Sequence, residues 1–332
     1  MVHVVVTGGG GFLGARLARE LLAAGSLDVA GGGARPLTRL TLIDQAPVPA
    51  DLADLAGDGR VAVIQGDLCE LLGPGETEAL GGAEVIFHLA AAVSGDCEAD
   101  FDLGLRANLQ AAETLLVCCR AVGTRPVVVF ASSVAVFGGS AEHPLPALIE
   151  DHTLPVPQTS YGTQKFMIEQ LLADYTRKGF LDGRAVRLMT VSVRPGRPNG
   201  AASGFLSGII REPLAGLRAV CPVSPDTEVA LASPAKAVAA LLCAATASDQ
   251  DWADPAPLTM PALTVTVADM VAALDRVAGP QVTGLIDWIP DPAVAGMVAN
   301  WPARIRADRA ARLGLTPDPD YDTVIRTYQA GT

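Results

Sequence analysis

Apolar residues in this chain fall into short unbroken runs that alternate with longer stretches of helical spacing. Val4-Val5-Val6 is the first run. It stops at Thr7-Gly8-Gly9-Gly10-Gly11-Phe12-Leu13-Gly14, and from Ala15 onward Leu17, Leu21 and Leu22 follow the helical period. Residues 30–36, with consecutive glycines and a closing proline, predict a loop longer than usual before Leu40-Thr41-Leu42-Ile43, a run that ends in Asp44. Val61-Ala62-Val63-Ile64 leads into Gly66-Asp67-Leu68, and Val85-Ile86-Phe87-His88-Leu89 leads into Ala90-Ala91. Residues 101–122 place Leu105, Leu109, Ala112, Leu115, Leu116 and Cys119 on one broad face, which predicts a helix. Val127-Val128-Val129-Phe130-Ala131 then reads as a fully buried strand ending in Ser132-Ser133. A Pro- and Gly-rich loop over residues 138–157 leads to a helix bearing Tyr161 and Lys165. Residues 184–194 alternate as a further strand, broken by Pro195-Gly196-Arg197-Pro198-Asn199. Beyond it prolines become denser, and helical stretches at residues 235–245 and 267–277 are separated by brief strands. This alternation predicts an open α/β sheet over residues 1–195 and a smaller lobe mainly in residues 196–332, partly interleaved with the sheet.

Composition narrows the function classes. With 332 residues, half of them hydrophobic, the chain has ample core for one large domain and a smaller lobe. Its formal net charge of -12 repels phosphate backbones and anionic membranes, so neither nucleic acid nor a membrane surface is an expected partner. No apolar run approaches the ~18 residues that a membrane span requires. The opening Met1-Val2-His3-Val4 lacks the basic flank of a signal peptide, and the cytoplasm is the expected location. The six cysteines show no metal-ligand or disulfide spacing, so no metal site is expected.

Candidate chemistry gathers at the ends of the predicted strands. A strand, a glycine turn and a helix in that order turn backbone N–H groups toward a pyrophosphate, with Gly8, Gly11 and Gly14 as the positions that matter. An acid ending the second strand accepts ribose hydroxyls and repels a 2′-phosphate, so Asp44 favours NAD over NADP. Asp67 is a candidate for the adenine amino group. The small residues Ala90 and Ala91 leave room for a nicotinamide ribose, while His88 reads as a packed core histidine. Ser132 and Ser133 lie where ligands bind in open α/β sheets, and Ser133 is the better candidate for catalysis. Tyr161 and Lys165 share one helix face. A phenol with a reference pKa of about 10 is a poor base, but a fixed cation beside it favours the phenolate, and Lys165 is expected to supply that charge.

Thr7-Gly8-x-x-Gly11-x-x-Gly14, Asp44, Gly66-Asp67-Leu68, His88-Leu89-Ala90-Ala91, Asn108, Ser132-Ser133 and Tyr161-x-x-x-Lys165, in this order, resemble the extended short-chain dehydrogenase/reductase family, the NAD-dependent epimerases and dehydratases. The resemblance spans nearly the whole chain. It implies a Rossmann-type doubly wound parallel sheet with a smaller C-terminal substrate-binding lobe, bound NAD, and a homodimer built from the helices around residues 105–122 and 161–175. It also implies cofactor contacts from Phe12, Leu13, Leu68, Leu89, Asn108, Ser132, Tyr161 and Lys165 besides those already named, with Tyr161, Lys165 and Ser133 catalytic.

The chain departs from relatives that handle nucleotide-linked sugars. Their basic residues for a diphosphate are replaced by Asp226-Thr227-Glu228, and Phe137 stands where many have tyrosine. Residues 93–101, Ser192-Val193-Arg194-Pro195-Gly196 and residues 207–216 are similar to a narrower group that oxidises the C2 hydroxyl of the four-carbon sugar acid D-erythronate with NAD. On that reading Tyr161 takes the hydroxyl proton, Lys165 holds the ribose, and Ser133 orients the hydroxyl. Arg211 is the first choice for the substrate carboxylate because the resemblance sets its Gly/Pro-flanked stretch over the pocket. Arg194, Asn199, Ser203 and Ser94 are further candidates for substrate contacts. Two alternatives stay open: a nucleotide-sugar epimerase or reductase, and a non-catalytic NAD-sensing regulator.

Overall fold

The computed structural model describes residues 1–47, 52–73, 75–196 and 201–331. Eight strands form the main sheet: β1 (Val2–Thr7), β2 (Ser26–Asp28), β3 (Ala34–Asp44), β4 (Val61–Gln65), β5 (Val85–His88), β6 (Val127–Ser133), β7 (Asp182–Leu188) and β8 (Leu258–Thr259). Seven run parallel in the order β4-β3-β1-β5-β6-β7-β8, and β2 folds back antiparallel on the start of β3. The fold is therefore a Rossmann-type doubly wound sheet. From β1 the chain first builds outward through β3 and β4, then returns to the other side of β1 to lay down β5 and β6. A crevice opens at the carboxyl ends of β1 and β5, where this reversal leaves neighbouring crossovers on opposite faces.

Both faces of the sheet are covered, which is why its central strands read as continuous apolar runs. Val4 and Val6 of β1 pack with Leu17 and Leu21 of the Phe12–Ala24 helix and with Leu241 of the Pro234–Thr246 helix. Val5 points to the other face, toward Leu115 of the Ala111–Val122 helix and Ile168 and Leu172 of the Ser160–Arg177 helix.

The local pattern and the observed elements differ in three places. Residues 30–36 are the tip and return of the β2–β3 hairpin, with Ala30, Gly31 and Gly33 at positive φ, so β3 begins earlier than the apolar run suggested. Residues 184–194 are not one strand. The chain leaves the main sheet after Leu188, and Thr190–Val191 pairs with Glu228–Ala232 in a separate three-stranded sheet. Within residues 101–122 the segment Leu105–Gln110 is a π-helical turn that turns Asn108 inward.

The smaller lobe is built from that sheet, the Gly204–Leu214, Val267–Ala278 and Tyr321–Gln329 helices, and a core containing Ile210, Met270, Leu274 and Ile325. Later residues also return to the large sheet. Leu258–Thr259 pairs with Val186–Arg187 there, while Ile305–Arg306 pairs with Ile149–Glu150 in a separate two-stranded sheet. Among the described residues no helix is long and apolar enough to cross a membrane.

Candidate active site

The turn after β1 is shaped by what its glycines leave out. Gly8 has φ +71°, and a Cβ there would lie 2.7 Å from the Ala90 nitrogen. At Gly14 a Cβ would lie 2.2 Å from the Gly8 carbonyl oxygen, so the first helical turn rests directly on the loop. Gly11 caps the Phe12–Ala24 helix without a side-chain hydrogen bond, and the first turn carries no acid. Its N–H groups are left for an outside acceptor, and the macrodipole favours an anion there. Asp44 lies beside the turn, accepting hydrogen bonds from the backbone N–H of Gly10 at 2.9 Å and of Ala46 at 3.1 Å.

From this turn a cavity of about 790 Å³ runs along the carboxyl ends of the strands. Gly8, Gly11, Phe12, Leu13 and Gly14 line one end, and Leu89, Ala91, Ser132 and Ser133 line the middle. Tyr161, Lys165, Ser94, Arg194, Ser203 and Trp301 line the far end.

Tyr161 reaches this cavity because of two neighbours. Thr159 caps the helix, its Oγ1 accepting from the Gly162 N–H at 3.1 Å. Gly162 has no Cβ to strike the Ala135 carbonyl oxygen, which would be only 2.1 Å away. The helix start therefore seats directly on the segment that follows Ser133, and a hydrogen bond from the Ser133 side chain favours the Tyr161 phenolate. Lys165 is 2% exposed. Its Nζ donates to the Ala131 carbonyl at 2.8 Å and lies 4.7 Å from the Phe130 ring centroid and 5.5 Å from that of Tyr161.

The electrostatics correct one expectation. Burial leaves the Tyr161 phenol raised to about 12, and the charge that opposes this rise is the Arg194 guanidinium, not the Lys165 ammonium. Lys165 is itself pushed down to about 8 by burial, with Cys97 and Glu169 opposing the shift. His88 is a buried core histidine bonded through Nδ1 to Thr7 Oγ1 at 2.7 Å, and burial holds it down to about 3.

Arg194 is well placed because the chain switches sheets after β7. Its Nε donates to the Val191 carbonyl and its Nη2 to Ser203 Oγ, both near 3 Å. Nη1 has no hydrogen-bond partner among the described residues. Ser94 also lines the cavity, and its Oγ accepts from the Ala202 N–H.

Arg211, the sequence's first choice for the carboxylate, lies elsewhere. It donates to the Arg194 carbonyl and to Glu212, and it lines a separate cavity with Arg16 and Tyr328. Asn199 lies outside the described residues. Asn108 is fully buried. Its Oδ1 accepts from the Ala92 N–H and its Nδ2 donates to Gln164, so it braces the loop after β5 and does not line the cavity. Ser132 lines the cavity, but its hydroxyl is committed to Glu169. Leu68 packs into the core, Ala90 packs against it, and Asp67 caps a short helix and pairs with Arg106. Glu228 forms an ion pair with Arg304 at the surface and is not among the cavity-lining residues, so its charge is no barrier to a diphosphate there.

Thr159, Glu169, Trp301 and Glu98, which lines the cavity and accepts from the Ser160 N–H, were missed from sequence. Only Thr159 left a signal, a hydroxyl three residues before the Gly162 N–H that it caps.

Residues 4–250 match the NAD dependent epimerase/dehydratase family. The chain belongs to this family. Its cofactor is NAD, and the epimerase/dehydratase turn observed here fits it: an uncapped helix N-terminus, glycines where any Cβ would clash, and a carboxylate at the end of β3. Among family members, the chain is 48% identical over 331 residues to a D-erythronate dehydrogenase of Cupriavidus necator, covering 98% of each chain. It is 40% identical over 330 residues to a D-erythronate dehydrogenase of Haemophilus influenzae, again covering 98% of each. A solved structure described as a nucleoside-diphosphate-sugar epimerase from Agrobacterium tumefaciens superposes with a TM-score of 0.88 at 40% identity, covering 99% of this chain and 94% of that one.

Proposed function

We propose that this chain is an NAD-dependent dehydrogenase that oxidises the C2 hydroxyl of a small sugar acid, D-erythronate, to the 2-dehydro acid. The observation that carries the substrate class is the set of positive charges at the cavity. Among its described lining residues only Lys165 and Arg194 are cationic, and Lys165, one of whose donors goes to the Ala131 carbonyl, is assigned to the cofactor ribose. Among the described residues Arg194 alone offers a free guanidinium edge, which suits one carboxylate and falls short of a diphosphate. Near-full-length identity to two D-erythronate dehydrogenases supports the same substrate.

In this reading Arg194 fixes the carboxylate, which sets the adjacent C2 carbon beside Tyr161. Ser133 orients the C2 hydroxyl, and Tyr161 accepts its proton as the ketone forms. Arg194 has a second effect, since its charge favours the phenolate that the step requires. Lys165 holds the ribose hydroxyls. The glycine turn, with Phe12, Leu13, Asp44 and Leu89, holds the rest of the dinucleotide. NAD supplies the hydride acceptor when bound.

The test is NADH formation across four- and five-carbon sugar acids, including erythronate and threonate. D-erythronate is expected to give the highest kcat/KM. The likeness to the Agrobacterium tumefaciens nucleoside-diphosphate-sugar epimerase favours a rival reading, an epimerase of nucleotide sugars. No turnover of any sugar acid, with tight binding of a nucleoside-diphosphate sugar, would establish the rival. The same proposal includes a homodimer. Phe101 and Val117, and Met167 on the Ser160–Arg177 helix, are exposed apolar side chains that a second copy would cover, and light scattering on the purified protein tests this.

A further inference from the structure

Tyr161 and Lys165 lie one helical turn apart, and the next residue on that face is Glu169. It is 1% exposed. Its Oε1 accepts from Ser132 Oγ at 2.5 Å and from Arg187 Nε at 2.9 Å, and its Oε2 accepts from Arg187 Nη2 at 2.7 Å. Arg187 is also buried, with its guanidinium 4.8 Å from the centroid of the Phe137 ring. Taking two charges out of water is costly, and an apolar pair of similar volume is often at least as stable. Stability alone is a weak reason for this pair.

Its position supplies a better one. Lys165 bonds to the carbonyl of Ala131, and Glu169 bonds to the hydroxyl of Ser132. Successive turns of the helix are thus clipped to successive residues of β6, immediately before Ser133. The groups that act on the Lys165 charge are few. Cys97, from the Ser94–Ala99 helix, opposes the loss of that charge only as a thiolate, and burial raises its thiol pKa above the ordinary value, so it is neutral at neutral pH. His88 of β5 faces the ammonium and is kept uncharged by burial. Tyr161, on the same helix, is a neutral phenol at this pH. On the β6 side stand the Phe130 ring and the Ala131 carbonyl. Glu169 is the remaining negative group.

We propose that Glu169, held by Ser132 and Arg187, is a positioning residue of the reaction: it clips the Lys165 turn to the strand that delivers Ser133 and provides the counter-charge for the buried ammonium. The inference rests on the reading of Tyr161 and Lys165 as the reaction centre.

The test compares the parent with Glu169→Gln and with the double variant Glu169→Gln/Arg187→Met, which leaves no unpaired buried arginine. The chain has only three lysines, Lys165, Lys178 and Lys236, so ¹³C-lysine labelling allows the Lys165 titration to be followed by NMR. Its midpoint, about 8 in the parent, is expected to fall by about one unit in both variants. NADH formation from D-erythronate should then match the parent below neutral pH and drop progressively above it, by about tenfold at pH 9 for a one-unit shift. An unmoved Lys165 midpoint, or a loss of activity by the same factor at every pH, would overturn the proposal. The NMR titration needs no substrate. A parent that forms no NADH from any sugar acid would count against the functional reading and leave the titration result standing.

Discussion

Replacing Arg194 with glutamine removes the one free guanidinium edge among the described residues of the cavity while leaving the glycine turn untouched. A hydrogen bond to a charged group contributes about 1.5–3 kcal/mol, and each 1.4 kcal/mol is about tenfold, so kcat/KM for D-erythronate is expected to fall by about 10- to 150-fold. Most of that loss should appear as a higher KM for the acid, with KM for NAD nearly unchanged. A second signature follows from charge. Arg194 is the cation that opposes the burial which leaves the Tyr161 phenol at about 12. Oxidation needs that phenol deprotonated, so its removal moves the rise of activity with pH toward more alkaline values. Steady-state kinetics over a pH series measure both effects, with Arg211→Gln as the comparison, because Arg211 faces the Arg194 carbonyl and Glu212. An unchanged KM for the acid and an unmoved pH profile in Arg194→Gln would refute the reasoning. A large KM effect in Arg211→Gln alone would return the carboxylate to that residue.

Gly14→Ala places a methyl group 2.2 Å from the Gly8 carbonyl oxygen, where only backbone movement relieves the clash; calorimetry should show NAD affinity reduced by more than about tenfold. Asp44→Ala should lower the ratio of kcat/KM for NAD to that for NADP, because the carboxylate that repels a 2′-phosphate is gone; an unchanged ratio assigns the preference to other groups. His88 makes stability fall with acid. Its folded-state pKa is pushed down to about 3 from an ordinary value of 6.5, so between those values the unfolded chain binds more protons and the melting temperature should drop as pH falls from 6.5 toward 3. His88→Asn should flatten that slope.

Local patterns carried much of the fold. Val4-Val5-Val6 followed by glycines and a helical period is a strand, turn and helix written within a few dozen residues, and the chain forms them there. Tyr161 and Lys165 are four apart on one helix, so their shared face needs no knowledge of the rest of the molecule. What depended on distant packing was less legible. Whether Arg194 or Arg211 reaches the cavity is decided by the sheet switch after Leu188 and by the seat of the Gly204–Leu214 helix, and neither is encoded near the arginines. Glu169 looks like one more acid on an amphipathic helix until β7 brings Arg187 against it. Glycines in residues 30–36 suggested a loose loop because a hairpin with positive-φ residues uses the same composition. Asn108 and Asp67 are polar residues whose partners lie far off in sequence, and the structure uses them to brace loops.

The central claim is that the Tyr161 oxygen accepts the substrate proton, and Tyr161→Phe tests it most directly. Removing the oxygen leaves Gly8, Gly11, Gly14 and Lys165 in place. The account predicts that the variant binds NAD as the parent does while NADH formation from D-erythronate falls by about 10² to 10⁴ at every pH, the range for loss of a general base. A variant that binds NAD and oxidises D-erythronate within a few-fold of the parent rate would contradict it.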